Sequence, residues 1–241
     1  PTDAIMLLRR FQKCLGNQIQ AFELISRRGL EFLERGNFDY KEPFPERGDW
    51  MVLVEISGAK PLNLRNVFEN ILHQSILENL AMDAIIAESH AQEAALWNIR
   101  ENIPEANRLI GAICSSDISV PISNIPNFID TTNEMIKALC NELQINCFGH
   151  LGDGNIHFNV FPPIGKTKSD FISITKAVAD IIHETAIGLG GSFSAEHGVG
   201  RLKVLDLKKY GDAGKLTMMR AIKNSLDPNL ILNPGVILSE L

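Results

Sequence analysis

The hydrophobic pattern along the chain follows two periods, and each period predicts one kind of element. Short runs in which β-branched and aromatic residues alternate with polar ones predict strands; these runs are 21–25, 51–56 and the two halves of 145–160. Longer runs with apolar residues three and four apart predict helices; these are 62–80, 124–143 and 170–187. Ser123 or Asn124 stands where a cap of the second helix is expected.

The loop and turn residues between these runs favour an α+β fold with an antiparallel sheet covered by helices. Pro43, Pro45 and Gly48 predict a loop before the second strand, and the glycines at 188–191 predict the end of a helix. The clearest strand pair is a hairpin, which antiparallel sheets use and doubly wound parallel sheets do not. The sequence has no internal repeat, no Walker loop and no G-x-G-x-x-G after a strand, so no dinucleotide site is predicted.

Composition and charge narrow the class of protein. The chain has 241 residues, of which 45% are hydrophobic, and a formal net charge of −6, which argues against nucleic-acid binding. The basic residues between Arg201 and Lys209 are interpreted as a solvated helix face. Four dispersed cysteines without a C-x-x-C pair favour a reduced, intracellular protein over a disulfide scaffold. We expect it in the cytoplasm or at the periphery of the inner membrane, and not secreted. No apolar run reaches the roughly 18 residues of a membrane span. Because the chain opens on Pro1, we treat it as a fragment or processed product.

A hairpin is predicted to bring two histidines together. Asp153-Gly154 is a favoured two-residue turn, and with that turn the paired positions sum to 307. His150 then lies directly opposite His157, with Cβ atoms about 5 Å apart, and Asn159 shares their face. The opposite face carries apolar residues for the core: Leu151, Ile156, Phe158 and Val160. Two imidazoles at that separation can bind one metal ion, whereas the plainer alternative is a histidine pair on a half-exposed sheet.

A second polar pair follows at Glu196-His197, between a glycine-rich turn and two further glycines. Glycines allow unusual backbone angles and close approach of a ligand. Alone the pair indicates little. Together with the hairpin it offers two histidines and a carboxylate for a metal, with a further histidine as general base.

At these residues the sequence resembles the C-terminal domain of FAD-linked oxidases of the vanillyl-alcohol-oxidase type. Within that group it is most similar to the branch of D-2-hydroxyglutarate, D-lactate and glycolate-oxidase-like dehydrogenases. The matching segments occur in the family's order and run through most of the chain: LWNIRE at 96–101, DISVP at 117–121, GHLGDGNIHFN at 149–159, AEHGVG at 195–200, and 227–235 from DPN to NPG.

The resemblance implies a ferredoxin-like cap domain and a role for each residue of the predicted site. His150, His157 and Glu196 would hold a divalent metal, usually zinc in this branch, and His197 would take the proton from the substrate hydroxyl. Arg100 would bind the substrate carboxylate, with a surface salt bridge as the alternative. Asn159 would contact the substrate. Asn233 would approach the FAD, or would simply end a helix in a turn.

Two differences from the family's pattern limit how far the family's residue roles can be assigned to this sequence. The family's lysine for the substrate carboxylate is replaced by Ser115, so the bound acid differs or is held by Arg100 alone. The N-terminal flavin domain is absent from this sequence. We therefore expect a substrate-binding cap with the metal site in 1–200 and a C-terminal helical segment in 201–241 that packs on that domain. Such a fragment would not turn over alone.

The implied function is oxidation of a small D-2-hydroxy acid to its 2-oxo acid, in partnership with an upstream flavin-binding domain. The electron acceptor is not indicated, and a homodimer is compatible with the family. Two rival functions use the same residues differently. One is a self-contained zinc hydrolase with a metal-bound water, and the other is a non-catalytic domain that binds an acid or a partner chain.

Overall fold

The computed structural model describes residues 1–58 and 63–238. Its centre is a five-stranded, fully antiparallel sheet in the spatial order β2-β1-β4-β5-β3. The strands are β1 (Ile19–Ser26), β2 (Trp50–Ile56), β3 (Cys114–Ser119), β4 (Gln144–His150) and β5 (Asn155–Phe161). The predicted α+β class and all four predicted strands are confirmed.

Helices surround the sheet, and their bounds refine the sequence predictions. They are α1 (Thr2–Leu15), α2 (Arg27–Arg35), α3 (Leu64–Leu77), α4 (His90–Ile110), α5 (Ile125–Leu139), α6 (Ile172–Gly188), α7 (Val204–Tyr210) and α8 (Ala213–Leu226). Leu62, where the first predicted helix begins, lies outside the described residues. The helix of the structure begins at Leu64, and the side chain of Asn63 caps it. Asn124 does precede α5, but its side chain does not cap that helix, because its amide donates to the carbonyl of Leu189.

Both faces of the sheet are buried, each by its own set of helices. One core contains side chains of α1, α3, α5 and α6 together with Ile156, Phe158 and Val160 of β5. The opposite core is smaller and forms where α2 and α4 pack on Phe148 of β4 and Phe161 of β5. The sheet is therefore a central layer, and several polar side chains on the α2/α4 face, among them Glu23, Asn146 and Asp117, are buried.

The hairpin register differs from the prediction. Paired positions of β4 and β5 sum to 305, so Phe148 lies opposite His157, and His150 instead pairs with Glu23 of β1. The turn is a four-residue 3₁₀ loop, 151–154, with Gly154 alone in the left-handed region at φ 76°. The physical reason is that Leu151 is fully buried in the core and draws two extra residues into the turn. Because the shift is two residues, every side chain keeps its predicted face.

The long helix α4 spans the second face of the sheet. Ser89 caps its start, and Gly111 ends it in a left-handed conformation. Arg100, Ile103 and Asn107 are buried at three- and four-residue spacing, so they share the face that packs on the sheet. Arg100 is thus carried to the polar side chains of the strands below it.

The region after α6 is packed less tightly than the rest of the chain. The irregular segment 189–203 crosses the outer edge of β3, and α7, α8 and the final turns follow it. Large apolar side chains are more than half exposed here: Leu202, Leu205, Met218, Ile222, Leu226, Ile231 and Leu232. Within the described ranges, no helix combines the length and apolar character that crossing a bilayer requires.

Candidate metal centre

Four polar side chains of the sheet lie side by side on the face covered by α2 and α4. The register places Glu23 of β1 opposite His150 of β4, and Asp117 of β3 opposite His157 of β5. His150 and His157 are diagonal neighbours on adjacent strands, with ring centroids 5.6 Å apart. The predicted meeting of the two histidines is confirmed, although their direct pairing was wrong.

His150 is held between two carboxylates. Its Nδ1 lies 2.6 Å from Oε1 of Glu23, whose side chain is only 2% exposed, and its Nε2 lies 3.4 Å from Oε1 of Glu196. A carboxylate only accepts hydrogen bonds, so the short contact with Glu23 requires the proton on Nδ1. The other ring nitrogen, Nε2, faces Glu196 and is the atom with which the neutral ring would bind a metal.

His157 repeats this arrangement on the next strand. Its Nδ1 lies 3.5 Å from Oδ1 of the buried Asp117, and its Nε2 lies 3.9 Å from Oε2 of Glu196. Burial lowers the pKa of His157 to about 4, and the positive charge of Arg100 acts in the same direction. The imidazole is therefore neutral at neutral pH, which is the form that binds metal ions.

The segment carrying Glu196 and His197 is tied to β3 through Asp117. The backbone N–H groups of both residues donate to Oδ2 of Asp117, at 2.7 and 2.8 Å, and the Asn155 amide donates to Oδ1 at 2.7 Å. Burial would raise the pKa of Asp117, but these hydrogen bonds hold it below its usual value. Asp117 therefore joins the loop ligand to the sheet as a buried anion.

The donor set fits a divalent metal such as zinc. One atom each from His150, His157 and Glu196 can be chosen so that all lie within 4.8 Å of one another. Zinc bonds of about 2.1 Å in a tetrahedron would separate the ligand atoms by about 3.4 Å, close to the contacts described. The carboxylate behind each imidazole is the outer arrangement typical of zinc-binding histidines. Three protein ligands would leave a coordination position open for substrate.

His197 lies beside this cluster but outside it. Its ring stacks on that of His157 at 5.8 Å, its Nδ1 is 3.7 Å from Asp117, and its side chain is 66% exposed. Arg100 is buried and donates from Nε to Oε2 of Glu23 at 2.7 Å, which makes the salt bridge internal rather than on the surface. The Arg100 guanidinium also covers the ring of Phe148 at 4.7 Å.

The remaining predicted residues differ in how they relate to the cluster. Asn159 is buried two positions from His157, and its amide donates to the carbonyls of Asn146 and His157. Ser115 is exposed and pairs with Asn159 in the β3–β5 register. Asn233 does not join the cluster; it forms a C-terminal turn with φ 46°, close to where Ile237 donates to the carbonyl of Gly200.

Sequence reasoning missed both buried carboxylates that support the histidines. Glu23 interrupts the apolar run of β1, and a lone charged residue inside a buried strand is the signal that could have revealed it. Asp117 lies in the segment 117–121, which matches the family, but the resemblance gave Asp117 no role. Neither position forms part of the histidine and glutamate segments on which the prediction concentrated.

The fold and the site together define an α+β domain with a candidate metal centre of two histidines and a glutamate. Residues 1–237 match the family of FAD linked oxidases, C-terminal domain. The chain belongs to this family, which confirms the resemblance inferred from its motifs.

Several curated relatives of the chain are named D-2-hydroxyglutarate dehydrogenase. The chain is 34% identical over 222 residues to a D-2-hydroxyglutarate dehydrogenase of Xanthomonas citri pv. viticola, covering 90% of this chain and 45% of the relative. It is 31% identical over 237 residues to one of Stutzerimonas stutzeri, covering 98% and 50%. The mitochondrial enzyme of Arabidopsis thaliana is 29% identical over 232 residues, covering 96% and 40%. The chain thus spans half or less of the length of these relatives.

Proposed function

We propose that this chain is the substrate- and metal-binding part of a flavin-dependent dehydrogenase that oxidises a D-2-hydroxy acid to the 2-oxo acid. The observation that carries the proposal is the pair of imidazoles whose Nε2 atoms face Glu196, each backed by a buried carboxylate. The name shared by the relatives favours D-2-hydroxyglutarate over D-lactate or glycolate as the acid.

The chemistry divides between the chain and two bound groups. When bound, the metal, which we propose to be zinc, would polarise the 2-hydroxyl of the substrate, and FAD would accept the hydride from C2. His150, His157 and Glu196 supply the metal ligands. Because Asp117 faces Nδ1 of His197, the exposed Nε2 of that ring is available to take the hydroxyl proton.

Substrate orientation falls to the residues around the cluster. Arg100 uses Nε for Glu23, which leaves its two terminal amines for a forked contact with the 1-carboxylate. Asn159 lies on the same face of the sheet as His157, where it would contact the substrate. Ser115 lies beside Asn159 where a lysine would reach a second carboxylate, so this chain provides a hydroxyl rather than a cation at that point.

The division into 1–200 and 201–241 remains our proposal for the domain organisation. The exposed apolar side chains of α7, α8 and the final turns form a surface suited to burial against another domain. We assign that surface to a flavin-binding domain, which would hold most of the FAD and bring its edge near Asn233. Placement at the inner membrane or in the cytoplasm is likewise a prediction.

The role of His197 provides the activity test. In a protein that combines this chain with its flavin domain, His197→Ala should slow flavin reduction by D-2-hydroxyglutarate roughly 100- to 10,000-fold, the usual contribution of a general base. Stopped-flow absorbance of the flavin measures this directly, with metal content checked in the same sample. Thr131→Ala, at a half-buried position of α5 on the far side of the sheet, is the control. Unchanged flavin reduction in the His197 variant would remove His197 from the mechanism.

A further inference from the structure

Glu23 is the most completely buried carboxylate near the candidate metal centre after Asp117, with 2% of its side chain exposed. It lies in β1, between two strands of the sheet, beneath α4. Both of its oxygens are engaged. Oε1 accepts from Nδ1 of His150 at 2.6 Å, and Oε2 accepts from Nε of Arg100 at 2.7 Å.

Burial of a carboxylate in an apolar strand is costly unless charged or polar partners satisfy it. Phe22 and Leu24 on either side of Glu23 point into the opposite core, as the alternation of a strand requires. A core-filling apolar residue would serve packing equally well at this position. The presence of a carboxylate with two donors on different elements indicates a role beyond packing.

The two contacts fix different features of the site. The contact with His150 places the proton on Nδ1 and directs Nε2 at Glu196. The contact with Arg100 leaves only its terminal amines free and holds the guanidinium over Phe148, whose ring lies 4.9 Å from that of His157. One side chain therefore sets the spacing between a metal ligand and the arginine.

We propose that Glu23 is a positioning residue that orients His150 toward the metal and Arg100 toward the substrate carboxylate. This inference rests on the proposed function, since it takes the metal site and the role of Arg100 as given. It adds that Glu23, a residue of the sheet, sets the distance between the metal and the substrate carboxylate without touching either of them.

The direct test is the zinc affinity of the Glu23→Gln variant. If the glutamine oxygen accepts from Arg100, its NH2 group faces Nδ1 of His150, and that contact favours the tautomer with the proton on Nε2, the nitrogen that would bind the metal. Loss of an outer partner of a metal-binding histidine lowers metal affinity roughly 10- to 100-fold. Competition with a chromophoric chelator measures the affinity of the chain for zinc alone.

Glu55→Gln is the matched control. Glu55 lies in β2 and also accepts a hydrogen bond from α4, at 2.9 Å from Nε1 of Trp97, one turn before Arg100. Glutamine at position 55 still offers an oxygen to Trp97, so zinc affinity should equal that of the parent chain.

The outcomes separate the inference from the proposed function. Zinc binding by the parent that is lost in His150→Ala but unchanged in Glu23→Gln would overturn the role of Glu23 and leave the metal site standing. A parent chain that binds no zinc would overturn both.

A second measurement needs no substitution and therefore does not depend on the folding of a variant. In the isotope-labelled, metal-free chain, nuclear magnetic resonance should show His150 protonated on Nδ1 and the Nε–H of Arg100 exchanging slowly with solvent. An imidazole protonated only on Nε2, or an Nε–H that exchanges as fast as that of an exposed arginine, would refute the proposed contacts.

Discussion

The candidate site joins two regions of different character. The sheet supplies His150 and His157, whose side chains are 31% and 13% exposed and are backed by carboxylates that are almost fully buried. The segment after α6 supplies Glu196 and His197, which are 52% and 66% exposed and lie in irregular structure. His150 and His157 are fixed by the core beneath them, whereas Glu196 and His197 depend on a few hydrogen bonds.

This difference teaches which part of the site is built in advance. The two cores hold the strands, and therefore the histidines, independently of any ligand. The loop is joined to them by Asp117 and by a backbone bridge between Ser119 and Ser192, and a second tie forms where α7 packs on α6 through His183 and Tyr210. Removing either tie should therefore affect the loop differently from the sheet.

Asp117→Ala should have the largest effect. It leaves the buried amide of Asn155 and the part-buried backbone N–H groups of Glu196 and His197 without this acceptor, and losing hydrogen bonds to a charged group costs about 1.5–3 kcal/mol. We expect the free energy of unfolding in urea to fall by that amount and zinc affinity to fall with it. Asp130→Asn, at an exposed position on α5, is the control and should change stability by no more than about 0.5 kcal/mol. Full zinc affinity in Asp117→Ala would show that the loop is positioned in some other way.

The second tie should be sensitive to pH. Burial lowers the pKa of His183, with Lys203 adding to the effect and Asp206 opposing it. The folded chain then binds fewer protons at this residue than the unfolded chain does, so stability falls as the pH drops below about 6.5. The slope attributable to His183 is at most about 1.4 kcal/mol per pH unit.

This prediction is measured as a difference between two chains. Urea unfolding of the metal-free parent and of His183→Gln, repeated from pH 7.5 down to about pH 5, should give a smaller slope in the variant. Subtraction removes the contributions of the other histidines. Identical slopes would mean that His183 has the same pKa in the folded and unfolded chains.

The smallest effect is expected at the exposed apolar surface of the C-terminal region. Leu202 is 96% exposed and Leu226 is 77% exposed, so changing both to glutamate should alter stability by less than about 1 kcal/mol. The same change should weaken association with a separately produced flavin domain. Pull-down and unfolding experiments on the double variant test both statements, and undiminished association would place the docking surface elsewhere.

The sequence predicted the sheet-borne part of the site more completely than its supports. Period-two alternation put His150, His157 and Asn159 on one face, and that assignment holds because the register error was an even number of residues. Leu151 is buried as predicted, but it lies in the turn instead of the strand, and the length of that turn depends on the distant helices that form the core. Local sequence therefore cannot supply it.

Local sequence could not predict which histidine each supporting carboxylate contacts, for the same reason. Glu23 is 127 residues from His150 in the chain, and only the order β1-β4 in the sheet brings them together. The joining of Glu196 to Asp117 likewise depends on segment 189–203 crossing the edge of β3. Family motifs pointed to the ligands, while the contacts that orient them required the fold.

The central claim is that the sheet and the loop meet around a metal ion. The most direct test is the metal content of the purified chain after exposure to zinc, measured for the parent, His150→Ala and Glu196→Ala. We predict about one zinc per parent chain and a loss of zinc in both variants, because each region supplies a required ligand. A parent chain without bound zinc, or variants that retain it fully, would contradict this account.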